Sequence, residues 1–141
     1  MKKILIFLAI IIIIVSVVGV QYYSYKRDYN AIQKENYEYE KYKDSEVYGL
    51  DIGTLINKAT NQNEKNNIEK DENGMYKQND ENSIELEIYI KDNDTTYKME
   101  TFYKSGTELF IQYYGNIQFK CSKIEYHNKT GKISYMYFEQ I

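Results

Sequence analysis

Ile84-Glu-Leu-Glu-Ile-Tyr-Ile-Lys91 alternates apolar and polar side chains along its whole length. Ile84, Leu86, Ile88 and Ile90 fall on one side, and Glu85, Glu87, Tyr89 and Lys91 on the other. A period of two is the mark of a strand with one buried face. Asp92-Asn93-Asp94-Thr95 follows, and it is turn chemistry, because Asn and Asp side chains bond their own backbone. Thr96 to Phe102 then reads as the partner strand of a first hairpin.

Downstream, Ser105-Gly106-Thr107-Glu108 matches a capping box. It predicts a short helix that buries Leu109, Phe110 and Tyr113 and stops at Gly115. Ile117 to Tyr126 predicts a long strand. Ile117, Phe119 and Cys121 share one face, but Ile124 and Tyr126 fall on the other, so a β-bulge near Ser122 is expected. His127-Asn128-Lys129-Thr130-Gly131 predicts a hairpin loop with Gly131 in the left-handed region. In the last strand Ser134, Met136 and Phe138 share one face, and Ile133, Tyr135 and Tyr137 the other. A strand apolar on both sides belongs in the middle of its sheet.

Upstream, residues 63–82 are polar apart from Ile68, Met75 and Tyr76, and Asn73-Gly74 is a turn dipeptide. This reads as an exposed loop with a small hairpin of its own. Before it, Gly49 breaks the pattern and Asp51 is the expected cap of a helix. That helix buries Ile52, Leu55, Ile56 and Ala59 and frays near Asn66. Residues 21–43 contain no Gly or Pro and extend an earlier helix. Tyr25, Tyr29, Ile32, Asn36 and Tyr39 form one helical stripe, interrupted by the polar Asn36. It reads as a polar stalk; the sharper alternative is a helix packed on its own domain or on a neighbour. The order is helix, helix, hairpin, helix, hairpin. The expected fold class is α+β: a small antiparallel sheet of two hairpins and about four strands, with one or two helices packed on it.

The chain opens Met1-Lys2-Lys3, followed by Ile4 to Val20 without a charge. As a helix this run is about 25 Å long at ~1.5 Å per residue. That is within reach of a hydrocarbon core of about 30 Å once the flanks contribute. Tyr22, Tyr23 and Tyr25 sit where amphipathic rings favour the headgroup layer. A signal peptide would be shorter in its apolar part and end in a small-residue cleavage site. Val17-Val18-Gly19 is a poor one, so the reading is a single-pass anchor. A tail of Met1-Lys2-Lys3 is easily left inside, which puts the bulk of the chain outside, at the cell envelope. Residues 1–21 are therefore expected as the transmembrane anchor, 22–48 as a juxtamembrane helix or stalk, and 49–141 as a small extracytoplasmic domain.

Beyond the anchor, 16 basic residues face 21 acidic ones, a net charge of −5 once Lys2 and Lys3 are set aside from the 18. An acidic domain repels phosphate backbones, which argues against nucleic acid as a partner. With one cysteine, Cys121, no disulfide forms within the chain, and the domain must hold together by its core.

Three stretches carry a resemblance: Gly49-Leu-Asp-Ile-Gly-Thr-Leu-Ile-Asn-Lys-Ala59, Asn63-Glu-Lys-Asn66 and Phe119-Lys-Cys-Ser-Lys-Ile-Glu-Tyr-His127. With the N-terminal run, they look like a group of short, uncharacterised membrane-anchored proteins of clostridia-like Gram-positive bacteria. The resemblance implies no activity, substrate or catalytic residue. A second similarity, of architecture, is to type IV pilin-like proteins, which also run from a membrane helix into a domain with an antiparallel sheet. The chain departs from them in lacking a Gly cleavage site before the apolar run and an acidic residue early in it.

The residues argue against the common chemistries. Cys121 and His127 are the one thiol–imidazole combination, yet six residues of strand separate them by about 20 Å at ~3.3 Å each. A nucleophile and its base need about 3 Å. One His and one Cys cannot build the usual zinc sites. Asp92-Asn93-Asp94 and Asp71-Glu72-Asn73 cluster oxygen ligands, but neither fits an EF-hand loop. Asn93 and Asn128 open glycosylation-like triplets that read as ordinary turns. No phosphate-binding, nucleophile-elbow or dinucleotide motif is present. The sequence is thus read as a non-enzymatic envelope protein without cofactor, metal or catalytic residues. Its expected partners are the membrane, through Ile4 to Val20, and other envelope proteins. The alternatives are a ligand- or cation-binding sensory module and a pilin-like surface subunit.

Overall fold

The computed structural model describes residues 2–141. The elements run α1 (Lys2–Glu40), β1 (Glu46–Tyr48), α2 (Gly49–Lys65), β2 (Glu85–Ile90), β3 (Thr95–Lys98), α3 (Met99–Ser105), α4 (Thr107–Tyr114), β4 (Gln118–Tyr126) and β5 (Ile133–Gln140). A 3₁₀ turn, Lys91–Asn93, joins β2 to β3. The fold class is α+β, as expected. Contacts divide the chain into two compact units, residues up to Lys34 and Glu35–Ile141.

In the first unit the side chains of Ile4 to Val20 all lie on the surface of α1. This helix is long and apolar enough to cross a membrane. Its one hydroxyl in that run, Ser16, donates to the Ile12 carbonyl at 2.7 Å, so it asks nothing of its surroundings.

In the second unit the alternation of 84–90 is fully used. Ile84, Leu86, Ile88 and Ile90 are completely buried, each removing apolar surface worth about 1.5–3 kcal/mol. They pack with Phe119, Cys121, Met136 and Phe138 and with Ile52, Leu55, Ile56 and Ala59 of α2. The last strand is central, as its two-sided apolar pattern requires: the order across the sheet is β1-β4-β5-β2-β3. The register slips between Cys121 and Lys123, which is the bulge expected near Ser122. It returns Ile124 opposite Met136 and so to the inner face. Gly131 has φ +69°, the left-handed turn residue foreseen. The α2 helix ends at Lys65, capped at Asn66. A bridge between Lys70 and Tyr76 forms the small hairpin of the 63–82 loop.

The sheet departs from the expectation in two ways. It has five strands rather than four, and it is mixed, since β2 and β5 run parallel. The crossover from β2 to β5 passes through β3, α3, α4 and β4, long enough to return the chain in the same direction. The extra strand, β1, pairs with β4 through Val47 and Phe119.

Several local expectations are corrected. The partner strand covers Thr95–Lys98 alone; Met99 to Ser105 is helix α3. Met99 and Phe102, three residues apart, lie on one side of that turn of helix, where both join the core. The Ser105–Glu108 capping box does not form. Gly106 is the N-cap, and the Ser105 hydroxyl donates back to Thr101 instead. On α4 Phe110 is buried, but Leu109 and Tyr113 are exposed. Ile111 and Tyr114 take their places against the core. Asp51 is not the cap of α2; Tyr48 is, and Asp51 lies in the first turn, where its charge favours the helix dipole.

The 36–48 segment belongs to the compact unit. Asn36 and Tyr39 are buried, whereas Tyr25 and Tyr29, earlier in the same stripe, are exposed. The helix stops at Glu40 without Gly or Pro. Asp44 takes the left-handed conformation (φ 54°), and its N–H donates to the Cys121 carbonyl at 3.1 Å. Gly49 starts α2 because a side chain there cannot fit: a Cβ would lie 2.0 Å from the Tyr114 carbonyl oxygen.

Candidate functional site

Strand register decides what the second face of the sheet presents. Tyr135 lies between Glu85 and Glu125, and Tyr137 between Glu87 and Lys123. Glu139 lies between Tyr89 and Lys120. These side chains are half-buried on β2 and β5 and exposed on β4. Their charges are matched by neighbours. Lys98 pairs with Glu85, which holds the ammonium above its usual range. Lys123 meets Glu125 at 2.6 Å and lies 5.4 Å from the centre of the Tyr135 ring. The Tyr135 hydroxyl donates to Glu87 at 2.7 Å. Burial first, and then that carboxylate, push the Tyr135 hydroxyl well above the usual tyrosine range.

One end of this face deepens into a cleft of about 400 Å³. Gln78, Asn79 and Asp80 form one wall, Tyr126 to Lys129 the other, and Glu85, Glu125, Ser134 and Tyr135 line the rest. Both walls are built by side-chain bonds. The Asn79 carboxamide oxygen accepts the N–H groups of Glu81, Asn82 and Ser83 at 2.9, 2.9 and 3.1 Å, which curls the loop. Thr130 donates to the Glu81 carbonyl at 2.7 Å, and Lys129 pairs with the Glu81 carboxylate at 3.2 Å.

His127 fastens the two walls together. It is 6 % exposed, and its Nε2 lies 2.6 Å from the Ser83 carbonyl oxygen. A carbonyl only accepts, so Nε2 carries the proton and, in the neutral ring, Nδ1 is the acceptor.

Two asparagines do comparable work at the same end of the sheet. The Asn63 side chain donates to the Ile84 carbonyl and accepts the Ile84 N–H, both at 2.8 Å. The Asn36 side chain donates to the Gly131 carbonyl at 2.8 Å and accepts the Ile133 N–H at 3.0 Å. Each amide thus stands in for a missing neighbour strand just where β2 and β5 begin. Around Asn36, Glu35 meets Lys132 at 3.0 Å, and Tyr126 donates to Glu40 at 2.9 Å.

The other residues weighed from sequence fall elsewhere. Cys121 is fully buried among apolar groups, with its thiol toward the Lys123 carbonyl at 3.9 Å; burial pushes it up to about 11. His127 points its Nε2 at Ser83, so structure and sequence agree in giving the two residues separate surroundings. Asp92, Asn93 and Asp94 spend their side chains on Gln140, Tyr97 and Tyr89. Asp71 accepts the N–H groups of Asn73 and Met75. Among the described residues no three His, Cys, Asp or Glu side chains group as metal ligands. The cleft itself was missed, since its walls come from residues some fifty positions apart and neither wall carries a motif. Compared with known proteins, the chain matches no family model, no curated protein and no solved structure.

Proposed function

We propose that this is a single-pass protein of a bacterial cell envelope whose extracytoplasmic domain serves an interaction or assembly role rather than catalysis. The observation that carries the reading is the uncovered apolar surface of Ile4 to Val20, flanked by Lys2 and Lys3 before it and by Lys26 and Arg27 after it. Lipid is the medium that accepts such a surface, and basic residues at its ends suit headgroups. The open face of the sheet around Tyr137 is the surface offered to a protein partner. Its half-buried rings supply contact area at low entropic cost, and its charge pairs set register.

Site-directed photocrosslinking in native membranes tests the reading. A probe at Tyr137 should trap one discrete partner, while a probe at Tyr113, exposed on α4, traps none. Equal labelling from both positions, or none from either, removes the assembly role. Orientation is checked by placing a cysteine at Thr96 in a Cys121→Ala background. A membrane-impermeant maleimide should label it in intact cells; protection until lysis would reverse the topology. The intact mass of the mature chain separates the remaining readings. A chain that keeps Ile4 to Val20 supports the anchor. Loss of residues up to about Gly19 points to a secreted binding module, and cleavage before the run with a methylated new terminus points to a pilin-like subunit.

A further inference from the structure

We infer that the cleft between the 78–80 loop and the β4–β5 hairpin binds a small organic cation bearing a primary ammonium group, held by His127 Nδ1 and the Asp80 carboxylate. The proposal goes beyond the envelope role and does not depend on it. Nε2 of His127 is committed to Ser83, so the neutral ring meets the cleft as an acceptor and asks for a donor. No hydrogen-bond partner takes Nδ1, and that atom is not sealed among the buried unsatisfied ones. The ring thus keeps an acceptor that solvent can reach, and His127 lines the cleft, although the residue is only 6 % exposed. Asp80 has neither an ion pair nor a hydrogen bond of its side chain, unlike Glu85, Glu125 and Lys129, which are paired with Lys98, Lys123 and Glu81.

Charge selects the same ligand. Glu85, Glu125 and Lys129 are each paired with an opposite charge, which leaves the Asp80 carboxylate as the uncompensated charge of the lining. The rings of Tyr126 and Tyr135 add faces that attract an ammonium. A hard metal ion fits less well: calcium takes six to eight oxygens, and among the described residues no three His, Cys, Asp or Glu side chains group to anchor such a set. The volume suits a small molecule rather than a polymer.

The test is a titration of the full chain, isotope-labelled in detergent micelles, with 1,5-diaminopentane. Pentane-1,5-diol and calcium chloride serve as the comparison ligands. Saturable amide shifts confined to residues 78–80 and 126–129 are expected with the diamine. Asp80→Asn, which removes no contact of the fold, should weaken binding about tenfold, the loss of one charge-assisted hydrogen bond. The proposal is overturned by shifts that do not saturate, by an equal response to the diol, by tighter binding of calcium at the same amides, or by unchanged affinity in Asp80→Asn.

Discussion

Tyr137 and Phe138 are neighbours in β5, yet they meet opposite surroundings. Phe138 is fully buried opposite Cys121 and Ile88, whereas Tyr137 is half-exposed between Glu87 and Lys123. The inner face of the sheet is specified by shape, because each side chain fills space that nothing else can reach. The outer face is specified by pairing, with each charge set beside an opposite one. One strand carries both codes, and only the first contributes much to stability.

Substitution at these two positions is the sharpest way to break the comparison. Phe138→Ala should cost about 3–5 kcal/mol, as a large core truncation does. Tyr137→Ala should cost about 1 kcal/mol or less. Denaturant unfolding of the micelle-bound chain, followed by circular dichroism, measures both. Similar costs would mean that the outer face is packed, not solvated.

Asn63→Ala comes next, at about 2–3 kcal/mol, because it strands both the N–H and the carbonyl of Ile84 inside the protein. Asn63→Asp, when ionised, keeps the acceptor and loses the donor, so it should be destabilising as Ala is, and it should recover toward wild type at a pH where the carboxyl is protonated and its O–H can donate to the Ile84 carbonyl. If Asn63→Ala proves neutral, the clamp does not hold the start of β2.

These two tests also divide what the sequence showed from what it hid. The buried set of β2, the central place of β5, the bulge at Ser122 and the turn at Gly131 follow from local period and turn chemistry, and the sequence states them. The parallel pairing of β2 with β5 does not, since strand direction is decided by where the intervening elements pack. Tyr97 to Glu100 alternates like a strand over four residues, but Met99 and Phe102 are three apart, and packing of both against the core favours helix from Met99 on. Asn36 read as an interruption of a stripe because nothing local reveals which backbone groups stand opposite. The same holds for His127, whose partner Ser83 lies in another part of the chain.

A pH experiment probes the inner face from a different side. Cys121 ionises near 9 when exposed and near 11 when folded, raised chiefly by burial. Tyr39 and Tyr135 are raised too, again by burial first. In each case the folded state holds its proton longer than the unfolded state. The contribution is therefore complete below the unfolded pKa and is lost as pH rises through the folded one. The melting temperature should fall steadily between about pH 9 and 11, and less steeply in Cys121→Ala. A flat profile would show that the thiol is not sealed in the core.

The smallest effect belongs to the outer face. Tyr135→Phe removes the bond to Glu87 but leaves the ring, and it should change stability by less than about 1 kcal/mol. A larger loss would mean that this face is closed off from water.

The central position of β5 has a consequence for how the molecule is made. Of the five strands, β5 is the last in the chain and the one on which both halves of the sheet meet. While a ribosome is still adding residues at about 5–20 per second, β1 with β4 and β2 with β3 can form only as two separate ribbons. Each then exposes an apolar face and an open edge. The apolar run at the start of α1 is made before any strand of the sheet. The domain therefore completes itself only once β5 is made, and stalled synthesis before Ile133 should yield fragments sensitive to protease rather than a smaller stable fold.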